Sequence, residues 1–133
     1  MDARTISAGL SVSSQITPED VAALAQRGFR TILCNRPDGE EDGQPAFAEI
    51  ATAAESLGLT TRYLPVIPGQ LSDDDAAAFG KALDDLPGPA LAYCRSGTRS
   101  AMLWALSRAR TKPLTDILAA TQGAGYDVSA LMP

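Results

Sequence analysis

The sequence predicts an α/β fold, a three-layer sandwich whose central, mostly parallel sheet lies between helices. Two observations predict it. Short apolar, β-prone runs alternate with segments of helical periodicity, and glycine or proline closes most of them. Cys94 directly follows one apolar run and precedes a glycine-containing turn into a helix. That is the carboxyl end of a strand, where open α/β sheets bind their ligands.

The elements follow in order. Thr17-Pro18-Glu19-Asp20 opens a helix: a capping threonine, a proline suited to the first helical position, and acids in the first turn. Val21, Leu24 and Ala25 continue at helical spacing, and Gly28 ends it. Phe29 to Cys34 reads as a buried strand, and Asn35-Arg36-Pro37-Asp38-Gly39-Glu40 as a loop. A second helix is expected from about Pro45 to Leu57, closed by Gly58, and a strand from Leu59 to Val66. Ser72-Asp73-Asp74-Asp75 starts a third helix with a capping-box pattern, and Phe79, Ala82, Leu83 and Leu86 form its apolar stripe. Pro87-Gly88-Pro89 breaks it, and Ala90 to Tyr93 reads as a central strand. Helices over Ser100 to Arg110 and about Leu114 to Gln122 complete the chain, which is expected to form one domain over residues 1–133.

Composition narrows the chemistry. The chain has 133 residues, 45% of them apolar and 20% charged, a globular balance with enough length for a hydrophobic core. Its net charge of -5 disfavours nucleic acid and anionic membranes as partners. Two cysteines make no disulfide framework, no apolar run approaches the roughly 20 residues of a bilayer span, and Met1-Asp2-Ala3-Arg4 does not begin a signal peptide. A cytoplasmic protein is expected. The sequence holds no histidine, which removes Cys-His and Ser-His pairs and histidine-based metal sites from this chain. No cofactor is expected, and any nucleophile must be activated by cations and dipoles.

Cys94-Arg95-Ser96-Gly97-Thr98-Arg99-Ser100 meets that requirement. A short glycine loop between strand and helix turns backbone N–H groups inward and, with the helix N-terminus, makes a concave anion site. The same field favours thiolate over thiol at Cys94, as do Arg95 and Arg99. From Cys94 to Lys112 there are five basic residues and no acid, a positive stretch in an acidic chain. Cys94 and Arg99 are therefore the candidate catalytic residues, and Arg95, Ser96, Gly97, Thr98 and Ser100 the candidate anion-binding loop.

Cys-Arg-Ser-Gly-Thr-Arg-Ser resembles the active-site loop of rhodaneses, the sulfurtransferases, and also the phosphate loop of protein tyrosine and dual-specificity phosphatases. More closely, the chain resembles the beta-lactamase-hydrolase-like phosphatase-fold family, bacterial domains often found beside or fused to persulfide dioxygenases. The matching segments are Ser13-Ser14-Gln15, Gly28-Phe29, Asn35-Arg36-Pro37-Asp38-Gly39-Glu40, Gln44-Pro45, Leu64-Pro65-Val66, and Ala92-Tyr93-Cys94 through Ala105-Leu106. The resemblance implies a dual-specificity phosphatase-like sandwich and a persulfide dioxygenase as partner.

Tyrosine phosphatases place five residues between cysteine and arginine; here there are four, and Ser100 holds the position of the arginine. Six-residue loops of this kind are those with which rhodaneses hold a cysteine persulfide. The stretch in which dual-specificity phosphatases carry their acid, Pro65-Val66-Ile67-Pro68-Gly69-Gln70, has no carboxylate, and Tyr93 stands where they usually have histidine. Asp73, Asp74 and Asp75 are nearby but suit the helix start. Thiosulfate expels sulfite, a stable anion that needs no general acid. The leading expectation is a sulfurtransferase taking sulfane sulfur from a small anionic donor, thiosulfate or a persulfide, to a thiol acceptor. A phosphatase is the alternative, and a non-catalytic anion or persulfide sensor a third.

The remaining residues are weaker candidates. Cys34 ends a strand and is expected in the core, with a resolving role as the alternative. Arg36 and Asp38, at another strand's carboxyl end, either line the same pocket or pair with each other. Trp104 is expected to pack in the core, and Arg108 and Arg110 to form a solvated helix end.

Overall fold

The computed structural model describes residues 1–129. Five strands form one sheet: β1 (Arg4–Ser7), β2 (Leu10–Ser13), β3 (Thr31–Cys34), β4 (Thr60–Tyr63) and β5 (Ala90–Tyr93). Their order is β1-β2-β5-β3-β4, antiparallel only between β1 and β2. The helices are α1 (Pro18–Gln26), α2 (Phe47–Ser56), α3 (Asp73–Asp85), α4 (Thr98–Arg108) and α5 (Leu114–Gly123). The mostly parallel three-layer α/β sandwich expected from the sequence is the fold observed. The expectation of one domain reaches residues 130–133, which lie outside the described residues.

The pleat of the sheet sorts the core into two layers. On β5, Leu91 and Tyr93 face the layer of α1 and α2, with Val21, Leu24, Ile50 and Ala54. Ala90 and Ala92 face the layer of α3, α4 and α5, with Phe79, Leu103, Trp104 and Ile117. Four-residue strands buried on both faces read as continuous apolar runs rather than alternations, and β3 (Thr-Ile-Leu-Cys) and β5 (Ala-Leu-Ala-Tyr) do. Trp104 is buried, as expected of a core residue.

Helix starts follow their local chemistry. Thr17 and Ser72 cap α1 and α3, each in a capping box closed by an aspartate, Asp20 and Asp75. Asp75 is thereby committed to the start of α3. The elements differ from the expectation in several places: β3 begins at Thr31 rather than Phe29, α2 spans Phe47–Ser56 rather than Pro45 to Leu57, and β4 ends at Tyr63 rather than Val66. The N-terminal hairpin β1–β2 was not expected, because its four-residue strands carry Thr5, Ser7, Ser11 and Ser13 and lack a clear apolar run. Helix α4 begins at Thr98, two residues earlier than expected, because Gly97 serves as its N-cap at φ +95°. Arg99 therefore stands in the first helical turn instead of closing the loop.

The chain leaves β3 for α2 on one face and β5 for α4 on the other. The loops after β3 and β5, adjacent parallel strands, thus diverge and leave a crevice at their carboxyl ends. Cys94 sits at its base.

Candidate active site

Cys94 directly follows β5 and is buried. Its backbone N–H donates to Ser13 O at 3.4 Å, and the Gly97 N–H donates to its Sγ at 3.0 Å. The turn Cys94-Arg95-Ser96-Gly97 wraps around the sulfur and runs into α4, so the positive end of the helix dipole lies beside it. Of the expected cradle residues, all but Ser100 border the turn around the sulfur, each with a different task. The Ser96 and Thr98 hydroxyls meet at 3.0 Å at the rim. Arg95 is mostly exposed, its guanidinium 3.5 Å from Glu41 Oε2.

Ser100 turns away from the anion site. Its hydroxyl donates to Asn35 Oδ1 at 2.8 Å, while Asn35 Nδ2 donates to Leu64 O at 3.0 Å and Asn35 N to Tyr93 O at 2.8 Å. Asn35 and Ser100 are fully buried. The pair fastens α4 to the ends of β3, β4 and β5.

Arg99 is the cation fixed at the sulfur. Its Nη1 donates to Glu40 Oε2 and to Val66 O, both at 2.8 Å, and its Nη2 donates to Glu40 Oε1 at 2.9 Å. Three of the five guanidinium hydrogens are thus used. The two left among the described residues lie on the Nε–Nη2 edge, a fork suited to a tetrahedral anion. Burial lowers the Arg99 pKa, but the bond to Glu40 and the neighbouring Cys94 more than offset it, so the net shift is upward.

Glu40 carries the network outward. Arg36 Nε donates to its Oε1 at 2.9 Å and Arg36 Nη1 to Gln15 Oε1 at 3.1 Å. The hydrogen bond from Arg99 is the main cause that holds the Glu40 carboxyl below the usual carboxylate range, with Arg36 adding to it. Of the two pocket candidates, Arg36 therefore joins the site through Glu40. Asp38 does not: its Oδ1 accepts the Phe47 N–H at 2.8 Å and so caps α2. Glu40, Gln15 and Asn35 were missed as site residues. The available signals were Glu40 at four residues from Arg36 and the place of all three in segments shared with the resembled family.

Cys34 is buried and its Sγ donates to Arg36 O at 3.3 Å. Burial pushes its thiol up to about 11, so it is protonated at neutral pH. It lies opposite Tyr93, whose buried phenol is also pushed up by desolvation. Of the two outer arginines, Arg108 pairs with Asp84 at 3.0 Å, and Arg110 is exposed beyond α4. Among the described residues no group of three or more Cys, Asp or Glu is placed to hold a metal ion, and no helix is long and apolar enough to cross a membrane.

A buried cysteine in a glycine turn between a parallel strand and a helix, with an arginine fixed beside it, defines a phosphatase-like cysteine enzyme fold. The comparisons agree. The chain belongs to the family described as beta-lactamase hydrolase-like protein, phosphatase-like domain, which matches residues 2–111. A beta-lactamase hydrolase-like protein of Xylella fastidiosa is 40% identical over 98 residues, covering 74% of this chain and 23% of that protein. The chain spans about a quarter of the length of the curated relatives it matches. The crystal structure of a candidate phosphatase from Neisseria meningitidis superimposes with a TM-score of 0.88 at 36% identity, covering 98% of this chain and 94% of that one. Tk-PTP in its active form has the same fold, with a TM-score of 0.72 at 16% identity over 92% of this chain and 86% of that one.

Proposed function

We propose that this chain is a cysteine-dependent sulfurtransferase on a phosphatase-like fold. Cys94 thiolate attacks the outer sulfur of a sulfane donor such as thiosulfate. The donor's S–S bond breaks, its electron pair leaves with sulfite, and Cys94 becomes a persulfide. A thiolate or cyanide then attacks the terminal sulfur, and the Cys94 thiolate departs. Gly97 N–H, the start of α4 and the free edge of Arg99 stabilise the anionic sulfur in both steps.

One observation carries the reading. The carboxylate bonded to Arg99 beside the cradle, Glu40, is held ionised by Arg99 and Arg36, and Glu41, the second carboxylate near it, lies against the guanidinium groups of Arg95 and Arg36 at the rim. Glu40 has no proton for a leaving group, and Asp75 is occupied at the start of α3. Sulfite and thiolates leave unprotonated; an alkoxide does not. The short turn from Cys94 to the helix cap Gly97 and the buried Ser100, which stands where a phosphatase has its arginine, support the same choice.

The comparisons by themselves favour the second reading, hydrolysis of a phosphate ester through a Cys94 phosphoenzyme, since family and neighbours are described as phosphatase-like. That reading uses the same cradle and favours aryl esters, whose phenolate leaves with little help. Purified protein assayed in parallel with thiosulfate plus cyanide and with an aryl phosphate separates the two. Thiocyanate well above phosphate release is expected; phosphate turnover without thiocyanate overturns the proposal. One sulfur bound per Cys94 without turnover also overturns it and identifies a sensor. By its resemblance, the chain serves a cytoplasmic persulfide dioxygenase, acting as one domain.

A further inference from the structure

We propose that Tyr126, which follows α5 outside the family match, is a positioning residue for the Cys94 cradle. Its hydroxyl holds the Ser96–Gly97 peptide so that the Gly97 N–H aims at the sulfur. Tyr126 Oη donates to Ser96 O at 3.2 Å, and Gly97 N donates to Cys94 Sγ at 3.0 Å. The acceptor and the donor belong to one peptide unit. In a trans peptide the C=O and N–H point in opposite directions, so fixing the carbonyl on one side fixes the N–H on the other.

The latch has work to do because of what it holds. Gly97 sits at φ +95°, and glycine occupies positive and negative φ about equally readily, so the unit is intrinsically free to turn over. A flipped unit would present an oxygen to the sulfur and deprive the tyrosine of its acceptor. Gly97 also clears the space for this contact, since a Cβ there would collide with Tyr126 Oη. The tyrosine is itself anchored: its N–H donates to Thr121 O at 2.8 Å, and Arg4 Nη1 donates to Ala124 O at 3.1 Å, tying the segment to β1.

The inference rests on Cys94 being the reactive thiol but not on which substrate it attacks. Tyr126→Phe keeps the ring and removes the hydroxyl. Iodoacetamide alkylation of Cys94, followed by peptide mass mapping at fixed neutral pH, is expected to slow about fivefold, the worth of one neutral hydrogen bond. The Gly97 amide resonance of ¹⁵N-labelled protein should move with it. If Tyr126 only packs, thermal stability falls while the alkylation rate stays within twofold and the amide resonance is unchanged; that result overturns the proposal. Alkylation uses neither a sulfur donor nor a phosphate ester. A slowed Tyr126→Phe beside an inactive wild type therefore sinks the sulfurtransferase reading and leaves the latch, whereas an unslowed variant of an active enzyme sinks the latch alone.

Discussion

Glu40 and Arg99 meet edge to edge, Oε2 on Nη1 at 2.8 Å and Oε1 on Nη2 at 2.9 Å, although 59 residues separate them. The pairing joins the loop after β3 to the first turn of α4 and fixes the guanidinium in the crevice between them. Glu40→Gln keeps the shape and removes the charge. Transfer activity is expected to fall roughly tenfold, because a catalytic cation displaced by a fraction of an ångström loses alignment with the anion. Steady-state kinetics should show the loss mainly in kcat, with stability lowered by about 1–2 kcal/mol.

The same pair fixes a pH dependence. The folded Glu40 carboxyl titrates below its unfolded value, so the folded state binds fewer protons through that window. Its stabilising contribution is present above the ordinary carboxylate range and is lost as pH falls through the lowered folded value. Thermal midpoints from about pH 5 down to pH 2 should therefore fall less steeply in Glu40→Gln than in the wild type. Equal slopes would mean that Glu40 is not held ionised.

Cys34 and Cys94 are predicted to differ sharply in chemistry. Cys94→Ser should abolish transfer, and Cys34→Ser should keep most of it. Mass spectrometry after thiosulfate treatment should find one additional sulfur on Cys94 alone. Burial keeps Cys34 protonated up to about 11, whereas in the unfolded chain it ionises near 9.0. Stability from this group is thus complete below about pH 9 and declines between 9 and 11, a decline that Cys34→Ser should reduce. Added sulfur on Cys34 would reassign the nucleophile.

How far the site was legible depended on how local each cause is. Cys94 through Ser100 could be read because nucleophile, glycine and arginine adjoin in one turn whose backbone alone builds the cradle. The start of α3 was legible for the same reason, since Ser72 and Asp75 bond each other. Glu40 was not, because its meaning comes from a partner on another loop. Tyr126 lay deeper still, since nothing near Gly125 announces that the next side chain covers Gly97. The β1–β2 hairpin escaped because Ser11 and Ser13 are buried by strand pairing rather than by their own polarity.

Ser100→Ala should act on stability and leave the anion site intact. The hydroxyl is fully buried and donates to Asn35 Oδ1 at 2.8 Å, so its loss strands a buried acceptor, at a cost of about 1–3 kcal/mol. Denaturant unfolding measures this directly. KM for thiosulfate should change less than twofold, because Ser100 points between β3 and α4 and not toward the sulfur. A large KM effect with unchanged stability would place Ser100 on the substrate instead.

The two arginines of the cradle should separate by their response to salt. Arg99 is buried to 9% exposure, and its bonds to Glu40 and Val66 leave two donors on the Nε–Nη2 edge for an anion. Lysine offers a single point charge and cannot hold Glu40, Val66 O and a substrate oxygen in one plane. Arg99→Lys should therefore reduce kcat/KM at least a hundredfold at any ionic strength. The Arg95 side chain is 69% exposed at the rim, near Glu41. Its field reaches an incoming anion only through water, within a screening length of about 10 Å at 0.1 M salt. Arg95→Ala should lower kcat/KM severalfold at 10 mM salt and hardly at all at 0.5 M, with kcat preserved. Kinetics of both variants across a salt series test this. A nearly silent Arg99→Lys beside a dead Arg95→Ala would exchange the roles of cradle and rim.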